Sequence, residues 1–165
     1  MKIGLISDTH SYLDPQIYHY LSDCEEIWHA GDIGKKSIFS ELEAFKKIRA
    51  VWGNIDGHEL RTILPEYVYF EIEGLSVLMI HIGGYPGKYS PKAKSLIQEL
   101  QPKLFISGHS HIVKIIPDTK NQLLHINPGA CGIEGWHKVK TIVRFDIQMG
   151  KISQMELIEL GPRGR

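Results

Sequence analysis

Seven residues spread along the chain carry side chains able to hold a metal ion: Asp8, His10, Asp32, Asn54, His81, His109 and His111. Each follows a short apolar run. Asp8 and His10 follow Lys2-Ile3-Gly4-Leu5-Ile6, and Asp32 follows Glu25 to Gly31. Asn54 follows Ile48 to Gly53, His81 follows Leu75 to Ile80, and His109 and His111 follow Leu104-Phe105-Ile106. An apolar run of this length bounded by turn residues reads as a buried strand. The carboxyl ends of such strands are where open α/β sheets keep their ligands. Most of these ends are flanked by glycine, which lets backbone approach a ligand closely. Taken singly, each residue has an ordinary reading. Asp8 could cap a turn, Gly31-Asp32 and Gly53-Asn54 could be plain loops, and His81 could be a hydrogen-bonded strand-end histidine. What departs from the ordinary is that all five groups fall after strands.

Seven oxygen and nitrogen ligands without a thiolate exceed one tetrahedral zinc site. They suit two divalent ions with carboxylate and imidazole ligands, manganese first, with iron, nickel or zinc as alternatives. Two ions about 3.5–4 Å apart is an arrangement that hydrolyses phosphate esters. Two divalent ions bring four positive charges; Asp8, Asp32 and a bridging hydroxide would remove three. The residual positive charge favours a phosphate, so the expected partner is a small phosphate-ester substrate.

The elements that must position these residues alternate at first. Helices are expected over Asp14-Pro15 onward, with Ile17, Tyr18 and Leu21 on one face, and over Ser37 to Lys47, with Ile38, Leu42 and Phe45. Ser90-Pro91 should cap a third helix, with Ala93, Leu96, Ile97 and Leu100 at i, i+3, i+4, i+7, ended by Pro102. Between them come strands over Tyr67 to Glu73 and Leu75 to Ile80, then a loop from Gly83 to Tyr89. From Ile112 onward the chain reads as β, over Ile112 to Ile116, Leu123 to Ile126, Val139 to Ile147 and Ile152 to Leu160. Gly161 to Arg165 reads as a frayed tail. Alternation followed by a β meander is best met by two packed sheets with helices outside.

The 165 residues suggest one domain over 1–165, with 42% hydrophobic and 23% charged residues typical of a globular protein. Lysine plus arginine equals aspartate plus glutamate at 19 each, which gives no strong nucleic-acid or membrane signal. Cys24 and Cys131 read as free thiols in a reducing compartment, and with no signal-peptide pattern the expected location is cytoplasmic. Oligomeric state and natural substrate are not legible.

The motifs Asp8-Thr9-His10, Gly31-Asp32, Gly53-Asn54-Ile55-Asp56, His81 and Gly108-His109-Ser110-His111 resemble the signature of calcineurin-like metallophosphoesterases. The chain length, the Asn127-Pro128-Gly129-Ala130 turn and the lack of insertions resemble the small YfcE-like phosphodiesterase branch. The resemblance implies an α/β (α+β) fold: a four-layer αββα sandwich with two mixed sheets and a binuclear site at one end. It implies that Asp8, His10 and His111 hold one ion, that Asn54, His81 and His109 hold the other, and that Asp32 bridges them. Asn54 would also contact the phosphate, so Asn54, Asp32 and His109 form the implied catalytic set. The implied reaction is phosphodiester hydrolysis by in-line attack of a metal-bridging hydroxide. A phosphomonoesterase of the same fold is the alternative enzyme, and a protein-binding scaffold like the retromer subunit is the alternative outside catalysis. Many relatives have a histidine after the motif asparagine to protonate the leaving group; here that residue is Ile55.

Other histidines divide. His58 could touch substrate or be a solvated loop residue. His29 could orient a ligand or simply pack. His125 reads as structural, and His19 and His137 receive no role. Tyr85 and Tyr89 could shape the cleft or shield the core.

Overall fold

The computed structural model describes residues 1–164. In chain order the elements are β1 (Lys2–Ile6), α1 (Gln16–Tyr20), β2 (Glu26–His29), α2 (Lys36–Phe45), β3 (Lys47–Ala50), α3 (His58–Arg61), β4 (Tyr67–Ile72), β5 (Leu75–Ile80), β6 (Gly84–Tyr85), β7 (Lys88–Tyr89), α4 (Pro91–Leu100), β8 (Leu104–Ile106), β9 (Lys114–Asp118), β10 (Leu123–Asn127), β11 (Val139–Gln148) and β12 (Lys151–Pro162). Two five-stranded mixed sheets form, in the orders β12-β11-β1-β2-β3 and β4-β5-β8-β10-β9. Strands β1, β2 and β3 run parallel in the first sheet, and β5, β8 and β10 run parallel in the second.

The period-two alternation of side chains builds the layers. Ile3 and Leu5 of β1 and Val143, Phe145 and Ile147 of β11 face Val77, Met79, Leu104, Ile106 and Ile126 across the gap between the sheets. Trp28 fills the middle of that gap, edge-on to Phe70 and Phe145. The opposite face of the first sheet, including Ile6, Ile27 and Ile142, packs under Ile17, Leu21, Ile38, Phe39 and Leu42 of the α1–α2 side. Leu78, Ile80 and Phe105 pack under Ala93, Leu96 and Ile97 of α4 on the far side. This is the four-layer sandwich implied by the sequence. Each fully buried Leu or Ile contributes roughly 1.5–3 kcal/mol to this arrangement.

Local signals explain the element ends. The Ser90 hydroxyl accepts from the Ala93 N–H, Pro91 opens α4, and Gln101 closes it in the left-handed region at φ 48° before Pro102. Asp14 accepts from the Gln16 N–H at 2.9 Å and so starts α1. Three expectations are corrected, and one short helix is added. Gly83 to Tyr89 is not a plain loop, because β6 and β7 pair as a short hairpin. The strand expected from Ile112 starts at Lys114 and runs through Pro117, which is tolerated because β9 is an edge strand. The turn α3 carries no long apolar stripe and was not foreseen. The end of the chain is not frayed over its described part: β12 continues to Pro162, and the Arg163 N–H donates to the Lys138 carbonyl at 2.9 Å. Arg165 lies outside the described residues. Among the described residues no helix is long and apolar enough to cross a membrane.

Candidate metal centre

Because β1, β2 and β3 are parallel, and β5 and β8 are parallel, the expected residues emerge together at the carboxyl ends of five strands. The structure brings six of them into two adjoining clusters. Asp8, His10 and His111 offer ligand atoms within 4.8 Å of one another, and so do Asp32, His81 and His109. The clusters interlock. Asp8 Oδ1 lies 3.7 Å from His10 Nε2, 3.2 Å from His111 Nε2 and 3.8 Å from His81 Nε2. Asp32 Oδ2 lies 3.3 Å from His10 Nε2 and 3.2 Å from His81 Nε2, between the two groups.

Each carboxylate has one oxygen occupied and one turned inward. Asp8 Oδ2 accepts from the Ser7 hydroxyl at 2.6 Å and from the His109 N–H at 3.2 Å. Asp32 Oδ1 accepts from the Ile55 N–H at 3.0 Å. The inward atoms Asp8 Oδ1, His10 Nε2 and His81 Nε2 are buried and have no hydrogen-bond partner among the described residues. Buried polar atoms are nearly always paired. Three unpaired ones converging from carboxylate and imidazole, with no thiolate, fit hard-to-borderline divalent cations.

The backbone is bent sharply to achieve this. Asp8, His10, Asp32, His109 and His111 all adopt left-handed φ values, 57°, 45°, 56°, 71° and 60°. A non-glycine residue there costs about 1–2 kcal/mol. Glycine makes room where the loops touch: a Cβ on Gly31 would stand 2.7 Å from His81 Nδ1. Asp56 ties the loops after β2 and β3 together by accepting from the N–H groups of Ile33 at 3.2 Å, Gly34 at 2.7 Å and Gly53 at 2.8 Å.

Electrostatics agree with a cation-shaped gap. Burial works to raise the Asp8 and Asp32 carboxyls, but the facing imidazoles of His10, His111 and His81 hold both well below the usual carboxylate range. Asp32, then Asp8, lift His10 to about 9. His81 is also raised, its burial being outweighed by Asp32 and Asp8. Burial lowers His109. Two buried carboxylates thus recruit protons onto imidazoles, the role a metal ion would take over. His81 Nδ1 lies 2.8 Å from the Ala30 carbonyl, which only accepts, so the proton sits on Nδ1 and Nε2 is left to the centre.

Asn54 follows β3 at the same edge and is exposed. Its side chain has no protein hydrogen bond among the described residues, and with Trp52, Arg61, His81 and Ile82 it lines a side pocket. His58 lies elsewhere, exposed at the start of α3 beside Gly34, Lys35 and Lys36. His29 does not touch a ligand. It is fully buried, accepts from the Gly31 N–H at 3.1 Å and bonds the Thr9 hydroxyl at 3.0 Å, bracing the loops that carry Asp8, His10 and Asp32. Burial lowers it to about 3. His125 is buried, stacked on Phe105 and lowered by burial to about 4, as a structural residue should be. Tyr89 shields the core, edge-on to Phe105 with its hydroxyl on Asp118, whereas Tyr85 is exposed under Lys114.

Sequence reasoning missed Asp56 as a brace and Asn127, whose amide donates to the Gly108 carbonyl and the Ser110 hydroxyl at 3.0 Å each. The signal for both was in view, since each sits in a glycine-bearing turn after a strand.

Comparisons with known proteins converge on one family. Residues 1–150 match the calcineurin-like phosphoesterase superfamily domain. A probable metallophosphoesterase of Methanothermobacter thermautotrophicus is 36% identical over 136 residues, covering 79% of this chain and 77% of that one. A phosphodiesterase of Methanocaldococcus jannaschii is 27% identical over 148 residues, covering 79% of this chain and 84% of that one. Among solved structures, an archaeal phosphodiesterase superposes with a TM-score of 0.72 at 26% identity, covering 97% and 100% of the two chains. Vps29 of Chaetomium thermophilum superposes at 0.75 with 16% identity, covering 98% and 99%, a likeness of fold.

Proposed function

Because the chain belongs to the calcineurin-like phosphoesterase superfamily, we propose that this metal-dependent phosphoesterase is a phosphodiesterase working with two divalent ions, manganese first. The observation that carries the reading is the convergence of the buried, unpaired atoms Asp8 Oδ1, His10 Nε2 and His81 Nε2 beside Asp32 Oδ2. Asp8, His10 and His111 would hold one ion, and Asn54, His81 and His109 would hold the other. Asp32 Oδ2, within 3.3 Å of a histidine of each group, would be shared. When bound, such ions supply Lewis acidity toward phosphoryl oxygens and lower the pKa of water for in-line attack on phosphorus.

The chain's own residues do the remaining work. Asp8 and Asp32 limit the positive charge of the centre so that an anionic ester is held without being trapped. The free Asn54 amide is placed to donate to a phosphate oxygen. Arg61 fixes the Asn54 turn by donating to the carbonyls of Asp56 at 2.6 Å and Asn54 at 3.3 Å, and its guanidinium stacks 4.1 Å over Trp52. Trp52 and Ile82 give the side pocket apolar walls. A wall of this kind beside the phosphate suits the second organic group, which a diester carries and its monoester product has lost. The name of the Methanocaldococcus jannaschii relative supports the same reading. Cys24 and Cys131, both free and buried, suit a reducing compartment, and we place the protein in the cytoplasm.

The test is metal-stripped protein reconstituted with manganese and offered bis-p-nitrophenyl phosphate and p-nitrophenyl phosphate. Faster colour release from the diester supports the proposal. Preference for the monoester would replace it with a phosphomonoesterase. No turnover of either with manganese, iron, nickel or zinc would favour the scaffold.

A further inference from the structure

The loop between β10 and β11 brings His137 against the metal centre. Its Nε2 lies 2.8 Å from the Gly132 carbonyl oxygen. A carbonyl oxygen only accepts, so Nε2 carries the proton. An imidazole is ordinarily neutral above about pH 6.5. Its Nδ1 is therefore a bare lone pair, and it lies 3.2 Å from His111 Nδ1. One of these two nitrogens must donate, and only His111 can. That puts a proton on His111 Nδ1 and makes Nε2, 3.2 Å from Asp8 Oδ1, the nitrogen left to present a lone pair once an ion replaces protons there.

We propose that His137 is a positioning residue for His111: by accepting the Nδ1 proton, it fixes the tautomer and ring angle that present a bare Nε2 beside Asp8. This rests on the reading of Asp8, His10 and His111 as a metal site. The same logic already operates at His81, where the Ala30 carbonyl is the acceptor. At His111 a side chain does it, so the interaction can be removed by mutation.

The loop is built to hold His137 there. Gly135, at φ 124°, passes so close to the His111 ring that any Cβ would collide with Nδ1. Arg163, directly after β12, clamps the loop from behind. Its Nε donates to the His137 carbonyl at 2.9 Å, and its Nη1 donates to the Ile133 carbonyl at 3.2 Å. The described end of the chain is thus tied to the orientation of His111 through one residue.

The test is zinc binding by competition with a chromophoric chelator, read for wild type, His137→Ala and His137→Asn. Wild type should bind two ions. His137→Ala should weaken one of them by about 10–100-fold, the usual cost of losing such a partner, and leave the other within a few-fold. Asparagine places an acceptor oxygen where Nδ1 was, so His137→Asn should recover most of the lost affinity. An alanine variant that binds both ions normally overturns the inference and leaves the metal reading standing. One that weakens both equally and melts earlier also overturns it, as a purely structural role. Wild type that binds no ion instead sinks the metal reading itself. A long-range proton–nitrogen spectrum of metal-free wild type at mildly alkaline pH gives a check independent of folding in the variants. His111 should carry a proton on Nδ1 there, and a ring with a bare Nδ1 would overturn the proposal.

Discussion

Ile55 donates its backbone N–H to Oδ1 of Asp32 at 3.0 Å, which leaves Oδ2 as the oxygen facing His10 and His81. Asp32→Asn tests that division. Its amide oxygen would keep the Ile55 bond, turning an NH₂ donor with no lone pair toward the two histidines. Activity should fall by more than about a hundredfold, a size typical of losing a key electrostatic group. The melting profile of the metal-free protein should stay close to wild type, because the shape and the Ile55 bond are kept. Near-normal turnover with full metal content would remove Asp32 from the shared position.

Chelation at neutral pH should abolish activity, and manganese should restore it. The fold should survive metal removal, because Asp56 ties the loops together through backbone bonds that involve no ligand atom. Added manganese should raise the melting temperature progressively, by about 2.7 kcal/mol of stabilisation at a hundred times its dissociation constant. Turnover that persists with metal shown absent by elemental analysis would refute metal dependence.

Stability of the metal-free protein should decline on the acid side through two histidines outside the centre. His29 and His125 are held below their ordinary 6.5 by burial, at about 3 and about 4. Above pH 6.5 neither the folded nor the unfolded state protonates them, and stability is full. Below it the unfolded chain takes up protons that the folded chain refuses. Each histidine then costs about 1.4 kcal/mol per pH unit, until pH falls to its folded value. Denaturant titrations from pH 7 to 4 measure the slope, and His29→Gln should flatten it. An equally steep slope in that variant would assign the acid loss elsewhere.

The residue after Asn54 is Ile55, 46% exposed, and it has no proton to give a leaving alkoxide. A positioned acid ordinarily contributes about 10²–10⁴-fold. We therefore expect turnover to depend steeply on the leaving group's own acidity, with aryl diesters cleaved far faster than alkyl ones. The measurement is a series of diesters sharing one retained group and varying the other in pKa, with chemistry rate-limiting. A flat series would mean that another group supplies the proton or its equivalent, and His58→Ala turning it steep would assign that role to His58.

Much of this was legible because periodicity and chemistry agree in the parallel strands. Ile3 and Leu5, or Val77 and Met79, alternate inward, and a polar residue follows at the same sheet edge each time. What was not legible depends on contacts distant in sequence. His137 meets His111 across 26 residues, and nothing local marks it. Asp56 reads as a turn aspartate until the loop after β2 is brought within reach of its carboxylate. Arg163 reads as tail until β12 is seen to extend through Pro162. The strand expected to stop at Ile116 runs on through Pro117, and its edge position admits the proline.

The left-handed backbone at Asp8, His10, Asp32, His109 and His111 has a consequence for how such a chain drifts. These are the positions where the residue that chemistry needs is not the residue the backbone prefers. His109 is exposed, so its side chain adds little packing, and its N–H bond to Asp8 would survive in any residue but proline. Glycine at 109 should make a protein that is harder to melt and catalytically dead. Stability alone would favour glycine there, so the histidine at this strained, solvent-facing position trades resistance to melting for a ligand atom beside Asp32 and His81.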